Sequence, residues 1–123
     1  MSTISPSWTE NVALPVATPL AASGTDTQDI DLASLGADCV VLYFDLALGS
    51  STTGIKLEVF ESVDSGVNDT TAAIFEKTVS TDGKFTVRVF DSPYIAVKVT
   101  NLDTATGTGA IGVTYAWRNW ASV

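Results

Sequence analysis

The feature that most constrains this chain is a period of two. Apolar and polar residues alternate over Ile55-Lys56-Leu57-Glu58-Val59-Phe60-Glu61, over Phe85-Thr86-Val87-Arg88-Val89-Phe90, and over Tyr94–Thr100 and Ile111–Arg118. Successive side chains of a β-strand point to opposite faces, so this spacing sends one row inward and leaves the other in solvent. Ile55, Leu57 and Val59 make one inward row, Ile95, Val97 and Val99 a second, and Ile111, Val113, Tyr115 and Trp117 a third. The run Val40–Leu46 is apolar almost throughout, as expected of a central strand covered on both faces. Shorter runs at Asp29–Leu32 and Ala73–Val79 complete the set, and nothing in the sequence carries a sustained helical stripe.

The breaks between runs fit strands. Thr81-Asp82-Gly83-Lys84 holds the Asp-Gly pair suited to a type I′ hairpin turn. Gly49–Gly54 and Thr104–Gly109 read as longer connections, and Asp91-Ser92-Pro93 as a tight corner. Short strands at this spacing predict an all-β fold, an antiparallel β-sandwich with the jelly roll among its topologies. A length of 123 residues allows one such domain, and 46% hydrophobic residues argue against disorder throughout.

Residues 1–25 read differently. Pro6, Pro15 and Pro19 interrupt a stretch of small and polar residues, which favours extended chain, with one short edge strand near Asn11–Val16. The expected organisation is therefore an extended N-terminal arm over 1–25 and a sandwich domain over 26–123. Ile4, Trp8, Val12, Leu14 and Val16 are the arm's apolar contacts. They are the candidate partner-binding residues, together with Trp120 beyond the last alternating run.

Catalytic and metal-binding constellations are scarce. The sequence contains no histidine, which excludes Ser-His-Asp and Cys-His devices and the common zinc sites. Asp29 with Asp31 and Glu58 with Glu61 are the closest acid pairs. The first is expected at a solvated edge, and the second is split between opposite strand faces. Gly107-Thr108-Gly109-Ala110-Ile111-Gly112 spells a dinucleotide fingerprint but precedes a strand where that fingerprint needs a helix. Asp64–Asp69 clusters oxygen ligands without the EF-hand spacing, and Asn68-Asp69-Thr70 is a formal glycosylation acceptor. Cys39 has no disulfide partner and sits in an apolar run, as a small buried hydrophobe. The expectation is no enzyme activity, no cofactor and no metal.

Charge narrows the partners. The net charge is −8, and residues 1–55 contain no Lys or Arg while carrying Glu10, Asp26, Asp29, Asp31, Asp38 and Asp45. Such a surface repels phosphate backbones, so no nucleic-acid partner is expected. No apolar run is long enough to span a bilayer, and the start Met1–Pro6 lacks the basic segment and following apolar run of a secretory signal, so synthesis in the cytosol without a membrane partner is expected.

The arm, the Asp-Ile-Asp-Leu segment at 29–32, the strand from Val40 to Leu48, Ile55–Val59 and the closing Gly109–Tyr115 together suggest a family. Over about residues 25–118 the chain resembles small β-sandwich virion proteins of tailed bacteriophages, capsid decoration (cement) proteins above all. The resemblance implies a structural virion protein on the outer capsid surface, made in the host cytoplasm and stabilising contacts between capsid subunits. Its partners would be the major capsid protein and neighbouring copies of itself, as a trimer or dimer. Two alternatives stay open. One is a carbohydrate- or receptor-binding module of a fibre or tail, with Phe60, Phe90 and Tyr94 as its aromatic platform. The other is a neck or tail-tube protein.

Overall fold

The computed structural model describes residues 4–9, 11–62 and 73–122. These form strands β1 (Ile4–Trp8), β2 (Val12–Ala13), β3 (Thr25–Asp31), β4 (Cys39–Leu46), β5 (Ile55–Ser62), β6 (Phe75–Val79), β7 (Gly83–Phe90), β8 (Tyr94–Asn101) and β9 (Ile111–Ser122). One helical turn, α1 (Leu32–Leu35), follows β3, with the Asp31 carboxylate accepting from the Ser34 N–H at its start. Leu32 therefore opens a helical turn and does not end a strand, contrary to the alternating pattern at 29–32. It is still buried. No helix among the described residues is long and apolar enough to cross a membrane.

Two antiparallel sheets form the sandwich. Sheet A has the order β1-β9-β4-β7 with β2 also on β9, and sheet B has the order β3-β8-β5-β6. The pairs β2 with β9, β3 with β8, β4 with β7 and β5 with β6 nest inside one another, as in a single long antiparallel ribbon folded over on itself. Pairs β4 with β9 and β5 with β8 join the layers of that ribbon into sheets. This is the jelly roll, and the predicted all-β antiparallel sandwich is what forms. Inside it, Val40, Leu42, Phe44 and Leu46 of β4 meet the β5 and β8 rows, and Phe44 stacks on Phe85 with ring centres 5.1 Å apart.

Three expectations change. The Asp82–Gly83 pair is not a hairpin, because β6 belongs to sheet B and β7 to sheet A. Neither residue takes a positive φ, and the Asp82 carboxylate instead accepts from the Leu48 N–H at 2.9 Å, tying two inter-sheet crossings together. Strand β4 is covered on both faces only in its first half. Cys39 and Val41 are buried on the outer face, whereas Tyr43 and Asp45 are open.

The third change concerns the arm. β1 and β2 both pair with β9, Ile4 lying opposite Ser122 and Val12 opposite Tyr115, and together they fill one strand position at the edge of sheet A. Pro6 is accommodated because an edge strand has one side without ladder partners. Leu14, Val16 and Leu20 are members of the hydrophobic core. The physical reason is that these side chains close the open edge of the sandwich, so no structural boundary falls at 25/26 and Leu14 and Val16 are not surface contacts.

Leu14→Ala is therefore expected to cost about 2–5 kcal/mol, as for other buried leucines. Val12→Ala, at a half-open edge position, should cost under about 1 kcal/mol. Chemical denaturation of the two variants checks this, and equal small losses would return Leu14 to the surface.

Candidate functional site

The outer face of sheet A gathers the exposed aromatic side chains Trp8, Tyr43 and Phe90 together with both arginines. Along β7 the outward row is Lys84, Thr86, Arg88 and Phe90; β4 contributes Val41 and Tyr43, and β9 contributes Thr114 and Arg118. Trp8 joins them from β1, directly opposite Arg118. The indole lies 5.5 Å from the Arg118 guanidinium and 5.9 Å from that of Arg88, a cation–π arrangement on both counts. Arg88 and Arg118 are the chain's two arginines. Trp8, Tyr43 and Phe90 are exposed by 42, 38 and 54% respectively, uncommon values for large apolar groups.

Trp8 reaches this face because of a bulge. The register changes from Trp8 opposite Arg118 to Val12 opposite Tyr115, a step of four residues on this side against three on β9. At the break the Thr9 hydroxyl accepts from the Trp117 N–H at 3.1 Å, standing in for a ladder carbonyl. An extra residue reverses which face later residues use. Trp8 points outward while Val12 and Leu14 follow the inward row of Tyr115 and Val113. In an unbroken strand all three would share one face.

Two clefts lie on the sheet A face. One, of about 310 Å³, is lined by Trp8, Val41, Tyr43, Arg88 and Arg118. The other, of about 470 Å³, runs on past Tyr43 between Lys84, Thr86 and Thr114, with Gly112 leaving its floor bare. Asp38 pairs with Arg118 at 3.2 Å and fixes that guanidinium at the end of the row. Burial raises the thiol pKa of Cys39, opposed by the nearby arginines, so the thiol stays protonated and inert.

The predicted contact residues are thus dispersed. Trp8 is on the outer face of sheet A, Val12 at the edge, and Leu14 and Val16 in the core. Ile4 and Trp120 sit in the β1–β9 ladder, and their side chains lie outside the described residues, as do Asp64–Asp69 and Asn68–Thr70. The platform of Phe60, Phe90 and Tyr94 does not form, because Phe60 and Tyr94 are on β5 and β8 of sheet B and Phe90 is on β7 of sheet A. Sequence reasoning did not single out Arg88, Arg118 and Tyr43. Their signal was the outward parity of Arg88 and Tyr43 within their runs, but parity does not show which strands lie side by side.

The acid pairs offer no joint chemistry. Asp29 and Asp31 are both exposed on the edge strand β3. Glu58 pairs with Lys56 at 3.8 Å, whereas Glu61 accepts from the Ser92 hydroxyl at 2.7 Å. Among the described residues no group of three or more His, Cys, Asp or Glu side chains is placed to hold a metal ion. Gly107 and Gly109 of the dinucleotide-like motif serve loop packing. A Cβ on Gly107 would lie 3.1 Å from the Leu20 carbonyl oxygen, and one on Gly109 3.0 Å from that of Ala47.

The same end of the sandwich holds a buried polar network. Asn101 donates to the carbonyls of Ala21 and Thr106 and accepts from the Ser51 hydroxyl and the Asp103 N–H. The Asp103 carboxylate accepts from the backbone N–H groups of Ala105 at 2.9 Å, Thr52 at 3.0 Å and Thr106 at 3.0 Å. These bonds, that of Ala105 first, hold its pKa far below the ordinary 3.8. A carboxylate whose pKa falls on folding stabilises fully above its unfolded value and loses that contribution as pH drops through the folded one. Asp103→Asn should therefore melt several degrees below the parent protein at neutral pH. That gap should narrow only as the pH falls below about 3.8, which thermal melts across a pH series will read.

A hydrogen-bonded polar end, an apolar core and one face carrying Trp8, Tyr43, Phe90 and both arginines characterise, among the described residues, a jelly-roll β-sandwich. No protein-family model and no curated protein sequence matches the chain. Among solved structures it is similar to a disulfide-linked pilus protein of Bacillus endospore appendages, with 15% identity over 97% of this chain and 91% of that one and a TM-score of 0.52. It is also similar to a carbohydrate-binding module known for mannan recognition, with 9% identity over 94% and 98% of the two chains and a TM-score of 0.51. A bacteriophage CBA120 tailspike protein has 10% identity over 98% of this chain and 19% of that chain, with a TM-score of 0.49. At these identities the first two similarities convey the fold.

Proposed function

We propose that this chain is a non-enzymatic structural binding module of a phage particle, docking on the outer capsid surface through the outer face of sheet A. The observation that carries the reading is the convergence of Trp8, Tyr43, Phe90 and both arginines on that one face. Trp, Tyr and Arg are the residues that most often dominate interface energetics, and charge elsewhere keeps the free module soluble. The fold suits the task, since a hydrogen-bonded sandwich presents its face without paying to order it on binding. The N-terminal segment acts as part of that rigid face and not as a reaching arm. Copies would sit on the capsid lattice as a dimer or trimer, made in the host cytoplasm, with the major capsid protein as partner and no nucleic acid or membrane involved.

A second reading has its own support. Trp8 and Tyr43 wall a cleft of about 310 Å³ that also holds two guanidinium groups, a combination that suits a sugar ring. On this reading the module would belong to a fibre or tail.

The test is co-sedimentation with capsids lacking the native copy, alongside a glycan array. Trp8→Ala and Tyr43→Ala should each weaken capsid binding by about tenfold or more while leaving the melting temperature within a few degrees. Capsid binding that survives both substitutions would remove this face from the mechanism. Retention on glycans with none on capsids would favour the second reading.

A further inference from the structure

Arg88 and Arg118 share the Trp8 indole, yet their electrostatic situations differ. The Arg118 side chain is mostly covered and holds Asp38 at 3.2 Å. Arg88 is exposed on β7, with Thr86 and Phe90 beside it in the outward row and Val41 across the strand pair. Among the described residues no carboxylate lies within ion-pair distance of it. A guanidinium resting against an indole keeps its plane fixed while its N–H edge remains available, which is the geometry for a two-point bond to a carboxylate.

We propose that Arg88 is the docking residue of this face and that it receives the carboxylate of one acidic side chain presented by the partner protein. Trp8 and Tyr43 wall the cleft into which that side chain inserts. Overall charge selects the kind of anion. At a net charge of −8 the molecule repels polyanions such as nucleic acid or an acidic polysaccharide, while a single carboxylate on an otherwise neutral or basic surface meets the locally positive cleft. Asp38 pairs with Arg118, so among the described residues Arg88 is the cleft's cation without a carboxylate at ion-pair distance.

The inference rests on the docking reading above, and two measurements separate their failures. In co-sedimentation with capsids, Arg88→Lys keeps the charge but loses the planar fork, and about tenfold weaker binding is expected. Arg88→Glu should abolish binding, and Lys98→Ala, on sheet B, should leave it unchanged. The second measurement needs no capsid: the side-chain Nε–H signals of the two arginines are followed by NMR during titration with a capped Gly-Glu-Gly peptide. The Arg88 signal should move in a saturable way and that of Arg118 should not, with capped Gly-Gln-Gly and added chloride as inactive controls. Parent protein that ignores capsids while its Arg88 signal still responds would sink the docking reading and leave the carboxylate site standing. Full capsid binding by Arg88→Lys, or an Arg88 signal that moves equally with chloride, overturns the inference while docking survives. A response to trigalacturonate but not to the glutamate peptide overturns it too, because the occupant would then be a sugar acid.

Discussion

Strand β9 has neighbours on both flanks, and sheet A depends on that double pairing. Its residues 111–118 hydrogen-bond to β4, while 114–115 and 118–122 hold β2 and β1 on the other side. The first and last described residues, Ile4 and Ser122, end up opposite each other. Without β9, the segment carrying Leu14, Val16 and Leu20 has no ladder to join and the sandwich edge stays open. These pairings are also distant in sequence, so their loop-closure entropy must be met before their hydrogen bonds and buried area contribute. The buried network of Asn101 and Asp103 counters this cost at one end. It ties the segments around 21, 51 and 106 together through bonds that satisfy nearly every polar group involved.

Much of the sandwich was legible because its strands obey the period of two. The inward rows of β5, β7, β8 and β9 are those that the alternation marks, since one buried face leaves a regular trace in the sequence. Sheet membership was not legible. The Asp82–Gly83 pair has the chemistry of a hairpin turn but spans the gap between sheets, a difference set by which partner strands compete for β6 and β7. The arm was misread for a related reason. Proline and small residues signal extended chain equally well at a free end and on an edge strand, and only the uncovered edge of β9 distinguishes the two.

The outer face of sheet A shows the limit most clearly. Trp8, Val12 and Leu14 stand at even spacings, so a regular strand would point all three the same way. A single bulge residue between them reverses the parity and separates a surface tryptophan from a core leucine. Nothing in the residues 9–11 announces the bulge, since Thr, Glu and Asn occur in strands and breaks alike. Once Trp8 is turned outward, the rest of the face follows from topology, because β9, β4 and β7 lie side by side and bring Arg118, Tyr43 and Arg88 beneath it. Asp38 then divides the labour between the arginines by occupying one and leaving the other open.

The central claim is that the N-terminal segment is a strand of sheet A whose bulge lays Trp8 across the outer face. Nuclear Overhauser contacts of the Trp8 indole measure this directly. Contacts to Val41, Tyr43 and the side chains of Arg88 and Arg118 are predicted, together with contacts from Leu14 to core residues of the opposite face. Trp8 contacts to Tyr115 or other inward residues, or the absence of any contact from residues 4–16 to β9, would contradict the account.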